Sequence, residues 1–289
     1  MKIDKASRTA QYMALFRALE TRRNPDDRLF TDPYAIHFLD RGLRVVARAS
    51  KIPVVRSFIT RTIQKKIPGA FSSGLARTKY IDELLQQNIS GGTEQVLILG
   101  AGFDTRAMRL DFLKQVPVIE IDHPNTSNFK IGIFRQRMNA LPGNVTFCQI
   151  DFNTQSLDEL AATHHFDFTK PTTIIWEGVT NYLTAEAVGH TFAFLSKFPK
   201  DSAVIFTYVH QQVLDEPGSF LGGEKLLKDL ETIEERWTFG FLPKDLASYL
   251  SQYGFTLAED LGAAEYRNNY LPKRNEEGYE FYRVAVGKK

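Results

Sequence analysis

Cysteine is nearly missing from this chain of 289 residues, and its single copy, Cys148, excludes both an intramolecular disulfide and a cysteine-based metal site by count. Cys148 sits within VTFCQI and reads as a small buried residue rather than a reactive thiol. Long apolar runs are also missing: none approaches the roughly 18–20 residues that a membrane-spanning helix needs. The first residues, MKIDKASRTAQYM, contain no apolar signal-peptide core, so a cytoplasmic location is the expectation. Internal repeats, low-complexity tracts and long linkers are absent. With 43% hydrophobic residues, the chain is long enough for a full core and fits one large α/β domain with additions, or two small ones.

Acidic residues are scarce at the front. The formal net charge is +2, but residues 1–90 hold 17 Lys and Arg against 8 Asp and Glu, and the remainder is acidic. Within the front part, residues 41–66 (RGLRVVARASKIPVVRSFITRTIQKK) carry eight cations and no anion, interleaved with Val, Ile, Leu and Phe. An amphipathic helix pair with a solvated basic face accounts for this pattern. Three sharper functions also fit: a collar for an anionic substrate, which ranks first among them, a membrane-surface contact, or a nucleic-acid patch. Nucleic acid is disfavoured, because only Phe58 and Phe71 offer nearby rings and no helix-turn-helix, zinc-finger or RNA-binding signature accompanies the charge.

The pattern changes near NISGGTE, around residue 90, which separates a helical region from an alternating one. Helices are expected at about 8–23, 34–49, 54–66 and 73–88. The first presents Tyr12, Leu15, Phe16 and Leu19 at the spacing of one buried face. Strands are expected at 95–99, 116–121, 144–150, 172–177 and 202–209, with helical stretches between them, and Pro124 suits the first turn of one such helix. This alternation predicts a parallel sheet covered on both faces. Residues 210–242 read as an insertion near the strand ends containing a charged helix at 223–236. A helix from Pro243 to Gly254 and final strands at about 255–261 and 279–286 follow.

In an open α/β sheet, ligands collect beyond the carboxyl ends of the strands. There the first strand is followed by Gly100-Ala101-Gly102, a turn that lets a ligand approach the main chain. The third small residue of a dinucleotide fingerprint is replaced by Thr105, which disfavours a pyrophosphate cofactor. Glu120 and Asp122 follow at the spacing where an acid meets a ribose diol. Asp151 and Phe152 could read an adenine edge and cover its ring, although Asp151 alone reads as a helix N-cap. Glu177 precedes Gly178, Asn181, Tyr182 and Leu183, an acid where a cationic ligand group could sit. Acids after successive strands suit S-adenosylmethionine, which has a diol, an adenine, an ammonium and a sulfonium but no phosphate.

These segments resemble the leucine carboxyl methyltransferase family, which includes protein phosphatase carboxyl methyltransferases and bacterial O-methyltransferases of polyketide-type small molecules. The similarity runs through SRTAQYMALFRALE, LFTDPYA, GLARTKYID, VLILGAGFDTRAMRL, VIEIDHP, QIDF and WEGVTNYL. It implies an α/β fold: the Rossmann-like, seven-stranded class I methyltransferase sheet with its last strand antiparallel, helices on both faces and a helical N-terminal lid at 1–90. The methyltransferase domain would then span 91–289, with an insertion after the fifth strand. It also implies that Arg77 holds the methionine carboxylate, Gly100 and Gly102 line the cofactor, and Asp122 holds the ribose. Asp151 and Phe152 would read the adenine, Glu177 would lie near the methionine amine, Tyr182 near the transferred methyl, and Arg17 would be a second cation of the lid. The expected activity is S-adenosylmethionine-dependent O-methyl transfer to a carboxylate or phenolic hydroxyl of a small metabolite. A carboxylate needs no base, whereas a phenol would be helped by one, for which His210 at the predicted end of TYVH is the best-placed histidine, although such a residue more often caps or packs. A protein C-terminal carboxyl acceptor, a NAD-dependent oxidoreductase and an anionic-surface binding module are the alternatives.

Overall fold

The computed structural model describes residues 8–138, 141–151, 155–164, 166–274 and 276–289. Four helices come first: α1 (Arg8–Thr21), α2 (Arg41–Ala49), α3 (Pro53–Lys66) and α4 (Ala70–Ser90). Strands and helices then alternate: β1 (Gln95–Leu99), α5 (Arg106–Arg109), β2 (Val118–Asp122), α6 (Pro124–Arg137), β3 (Val145–Gln149), α7 (Leu157–His164), β4 (Thr172–Trp176), α8 (Ala185–Leu195) and β5 (Ala203–Val209). The chain continues through α9 (Gln212–Asp215), α10 (Gly223–Thr232), α11 (Pro243–Ser251), β6 (Thr256–Gly262), α12 (Ala263–Tyr270) and β7 (Tyr282–Lys288). No helix among the described residues is long and apolar enough to cross a membrane.

The seven strands lie in the order β3-β2-β1-β4-β5-β7-β6. The first five are parallel, and β7 inserts antiparallel between β5 and β6. Side-chain alternation along β5 explains how both faces become cores. Val204, Phe206 and Tyr208 pack on one side with residues of α7, α8 and α11, while Ile205 packs on the other with α4 and α12. A third apolar cluster ties the N-terminal helices to the sheet, with Leu15, Phe16 and Leu19 of α1 packed with Phe71, Phe103 and Phe134. Phe38 stacks on Phe103 with ring centroids 5.1 Å apart.

Two expected helices are corrected and one unexpected helix is added. Residues 34–49 form two pieces, a 3₁₀ turn at Ala35–Phe38 and then α2, because the Asp40 side chain accepts the Leu43 N–H at 2.8 Å and caps a new helix. The charged helix stops at Thr232, not 236, and Glu234 takes a left-handed φ of 62°. Helix α12 has no counterpart in the sequence pattern. Its start is fixed by Glu265, whose side chain accepts the Gly262 N–H at 2.6 Å, a local bond that apolar periodicity does not register.

Candidate functional site

The site is built at the carboxyl ends of β1, β2 and β4. Gly100 and Gly102 both have positive φ, 62° and 47°. A Cβ on Gly100 would fall 2.3 Å from Val179 Cγ2, whereas one on Gly102 would meet nothing nearer than 3.8 Å. Gly100 is therefore required by the loop beside it, whereas a Cβ at Gly102 would make only ordinary contacts, with Ala10 and the Gly100 carbonyl. The Gly102 N–H donates to Asp122 Oδ2, while Asp122 Oδ1 accepts the His123 N–H at 2.6 Å. Burial raises the Asp122 carboxyl against these two donors. Each oxygen retains a further acceptor position, so a diol could still bind. Glu120, the other acid of this strand, is turned into the core and pairs with Lys130 of α6 at 2.6 Å. Burial outweighs that lysine and pushes the Glu120 carboxyl up to about 7.

Around these loops lies a buried network that binds the N-terminal helices to the sheet. Arg77 Nε of α4 donates to Glu177 Oε1 at 2.8 Å, and Arg106 Nη2 of α5 donates to Glu177 Oε2 at 2.9 Å. Arg106 also pairs with Asp82 at 2.8 Å and with Asp104, and Arg109 pairs with Asp82 at 2.7 Å. Arg17 of α1 donates to Asp32 at 2.8 Å and to the Phe103 carbonyl at 2.6 Å, and Thr105 donates to the same Asp32 at 2.7 Å. Arg17, Arg77, Arg106 and Arg109 thus face Asp32, Asp82, Asp104 and Glu177 one for one. Burial alone would raise Asp32, Asp104 and Glu177, but the arginines prevail. Arg106 and Arg77 hold Glu177 below the usual carboxylate range, and Asp104 falls to about 2 beside Arg106. Such pairs survive burial only when each ion keeps its partner.

Arg77 also lies 4.6 Å from the centroid of the Tyr282 ring, and Tyr279 stacks on Tyr282 at 5.5 Å. Since Nε is engaged with Glu177, the Nη edge is the part of Arg77 suited to a carboxylate. Arg17 supports the Gly102 loop through Phe103 and is already engaged. Asp151 closes a local ring in which its N–H donates to Gln155 Oε1 at 3.1 Å and its carbonyl accepts the Gln155 N–H at 2.9 Å. Phe152 lies outside the described residues.

Tyr182 sits in a 3₁₀ turn at Thr180–Tyr182 and packs with Val213, Leu226 and Trp237 of the segment after β5. Burial pushes its hydroxyl up to about 12, with Trp237 and Thr9 beside it. The same segment holds the start of α1, where the Glu235 carboxylate accepts the Arg8 N–H at 2.9 Å and also bonds the Thr9 hydroxyl. His210 follows β5, and its Nδ1 accepts the Gln212 N–H at 3.2 Å. A neutral imidazole accepting at Nδ1 carries its proton on Nε2, which is then a donor. Burial, then Arg283, keeps the His210 pKa below its ordinary value.

The structure thus gathers Gly100, Gly102, Asp122, Arg77 and Glu177 around one set of strand ends. Residues around this site that sequence reasoning missed include Asp104, Arg106 and Tyr282. Arg106 and Asp104 stand inside GFDTRAMRL, where their charge was the available signal; Tyr282 had none beyond strand alternation. A surface cleft of about 760 Å³ between α2 and α6 shares none of these residues.

Sheet order and antiparallel last strand define the class I methyltransferase fold. Two crystal structures share it, one of a Thermobifida fusca protein provisionally titled a methyltransferase (TM-score 0.59, 16% identity, 95% of this chain and 94% of that one) and one of a Streptomyces avermitilis protein (TM-score 0.59, 12% identity, 95% and 96%). The leucine carboxyl methyltransferase family model matches residues 10–196, and the chain belongs to that family. Among its relatives is a Frankia alni protein, provisionally named an S-adenosyl-L-methionine-dependent methyltransferase, 33% identical over 62% of this chain. A second Streptomyces avermitilis protein with the same provisional name is 35% identical over 65% of the chain. The matches span 60% and 63% of those relatives' own lengths.

Proposed function

We propose that the chain is an S-adenosylmethionine-dependent O-methyltransferase acting on a carboxylate of a small metabolite. The carrying observation is the set of polar groups at the strand ends: the Asp122 carboxylate at the Gly102 turn, and Glu177 next to the Arg77 guanidinium. This fits a ligand with a diol, an ammonium and a carboxylate. It does not fit a pyrophosphate, because the Asp104 carboxylate accepts the Arg106 N–H at 2.7 Å, placing an anion at the start of α5 where a dinucleotide phosphate would need that amide. NAD is disfavoured for that reason.

When bound, the methyl donor supplies a methyl group on a sulfonium for in-line displacement. Asp122 would hold the ribose hydroxyls, Arg77 the amino-acid carboxylate, Glu177 the ammonium and Asp151 the adenine amine. Alignment and exclusion of water then carry most of the rate. A carboxylate acceptor is already ionised at neutral pH and needs no base. That suits Tyr182, whose hydroxyl keeps its proton, and His210, whose Nε2 is a donor when Nδ1 accepts. Tyr182 would orient the acceptor. The bonds from Glu235 to Arg8 and Thr9 beside Tyr182 support a closed site and a small acceptor over a protein terminus.

Calorimetry with S-adenosylmethionine and, separately, NAD tests this. The methyl donor should bind, and Asp122→Ala should weaken it by about 1–3 kcal/mol through loss of charged hydrogen bonds. Binding of NAD alone, or of neither, would overturn the proposal; unchanged affinity in the variant would refute the ribose assignment.

A further inference from the structure

The segment with eight cations and no anion became α2 and α3, and none of the fourteen residues of α3 is buried. One face of α3 points to solvent through Val54, Phe58, Arg61 and Lys65, at helical spacing, apolar at its start and cationic at its end. Nine large apolar side chains are exposed among the described residues, and four of them fall within positions 45–58: Val45 at 59%, Ile52 at 58%, Val54 at 79% and Phe58 at 72%. Arg41 and Arg48 flank Val45 on the exposed side of α2, and Lys51 precedes Ile52. None of Arg41, Arg48, Lys51, Arg61, Lys65 and Lys66 forms an ion pair among the described residues.

Apolar side chains held out in water cost free energy unless something covers them. The unpaired cations select what that is. A second copy of the chain would bring like charges together. Nucleic acid would meet the charge, but Ile52 and Val54 gain little against stacked bases. An interface with anionic phosphates outside and hydrocarbon beneath satisfies both features. We propose that the α2–α3 hairpin docks this protein on anionic lipid bilayers, with Ile52, Val54 and Phe58 entering the boundary between headgroups and acyl chains and the surrounding cations meeting lipid phosphates. The inference does not rest on methyl transfer.

Cosedimentation of the full chain with vesicles tests it, using phosphatidylcholine alone and phosphatidylcholine with phosphatidylglycerol. Binding is expected only to the anionic vesicles, falling as salt rises. Val54→Glu with Phe58→Glu, and separately Arg61→Glu with Lys65→Glu, should each weaken it by about tenfold or more. All these positions are exposed, so circular dichroism should be unchanged. Failure to bind, equal binding to neutral vesicles, or indifference to both double variants would overturn the proposal. So would a dimer in sedimentation velocity that the Val54/Phe58 variant dissolves without lipid, because the apolar face would then belong to a second copy.

Discussion

The N-terminal third uses arginine in two opposite ways. On α1 and α4, Arg17 and Arg77 are buried and paired with Asp32 and Glu177, fifteen and one hundred residues away in the chain. On α2 and α3, Arg41, Arg48, Arg61, Lys65 and Lys66 are exposed and make no ion pair among the described residues, near exposed Val54 and Phe58. The first group holds helices to the sheet, since a buried charge that loses its partner is costly. The second contributes a field and a surface but little to the fold. A count of cations sees one basic region; the tertiary structure divides it into a structural set and an unspent one.

The contrast can be broken most directly at Arg106. Arg106→Met leaves Asp104, Asp82 and Glu177 short of a partner and should destabilise the protein by about 3–5 kcal/mol in equilibrium denaturation. A loss under about 1 kcal/mol would mean the network is not what binds α4 to the sheet. Acid should produce a smaller effect of the same origin. In the folded state Glu177 and Asp104 lie below their ordinary values of 4.5 and 3.8, Asp104 at about 2. The unfolded chain therefore takes up protons first, so the stabilisation is complete above about 4.5 and drains away as pH falls toward 2, by roughly 2 kcal/mol for Asp104 alone. Thermal melts across this range should show it, and Arg106→Met should flatten the dependence. The exposed set should respond least, with Arg61→Ala and Lys65→Ala changing stability by no more than about 0.5 kcal/mol. A larger loss would give α3 a structural role and erase the distinction.

Much of the sheet was legible. The runs at 95–99 and 172–177 are rich in β-branched and apolar residues, and their strands form within a residue of expectation, because parallel strands buried on both faces are mostly apolar. Gly100, Gly102 and Asp122 were legible for a related reason, since positive φ and a strand-end acid leave marks in residue type. Helix α12 and the break at Asp40 were not, because each depends on one side chain accepting one backbone N–H. Glu120 and Asp122, two residues apart on one face of β2, looked equivalent until Lys130 of α6 covered the first and the end of the strand left the second beside the Gly102 turn.

The sequence by itself determined the alternation, the glycine turn, the family and the presence of a basic segment without acids. These are local or additive properties of the chain. Only the tertiary structure decided which arginines are bound and which are available, that Arg17 supports a loop, and that the acceptor nitrogen of His210 caps the residues after it. Pairing energy depends on distance and desolvation, and both arise when segments far apart in sequence meet.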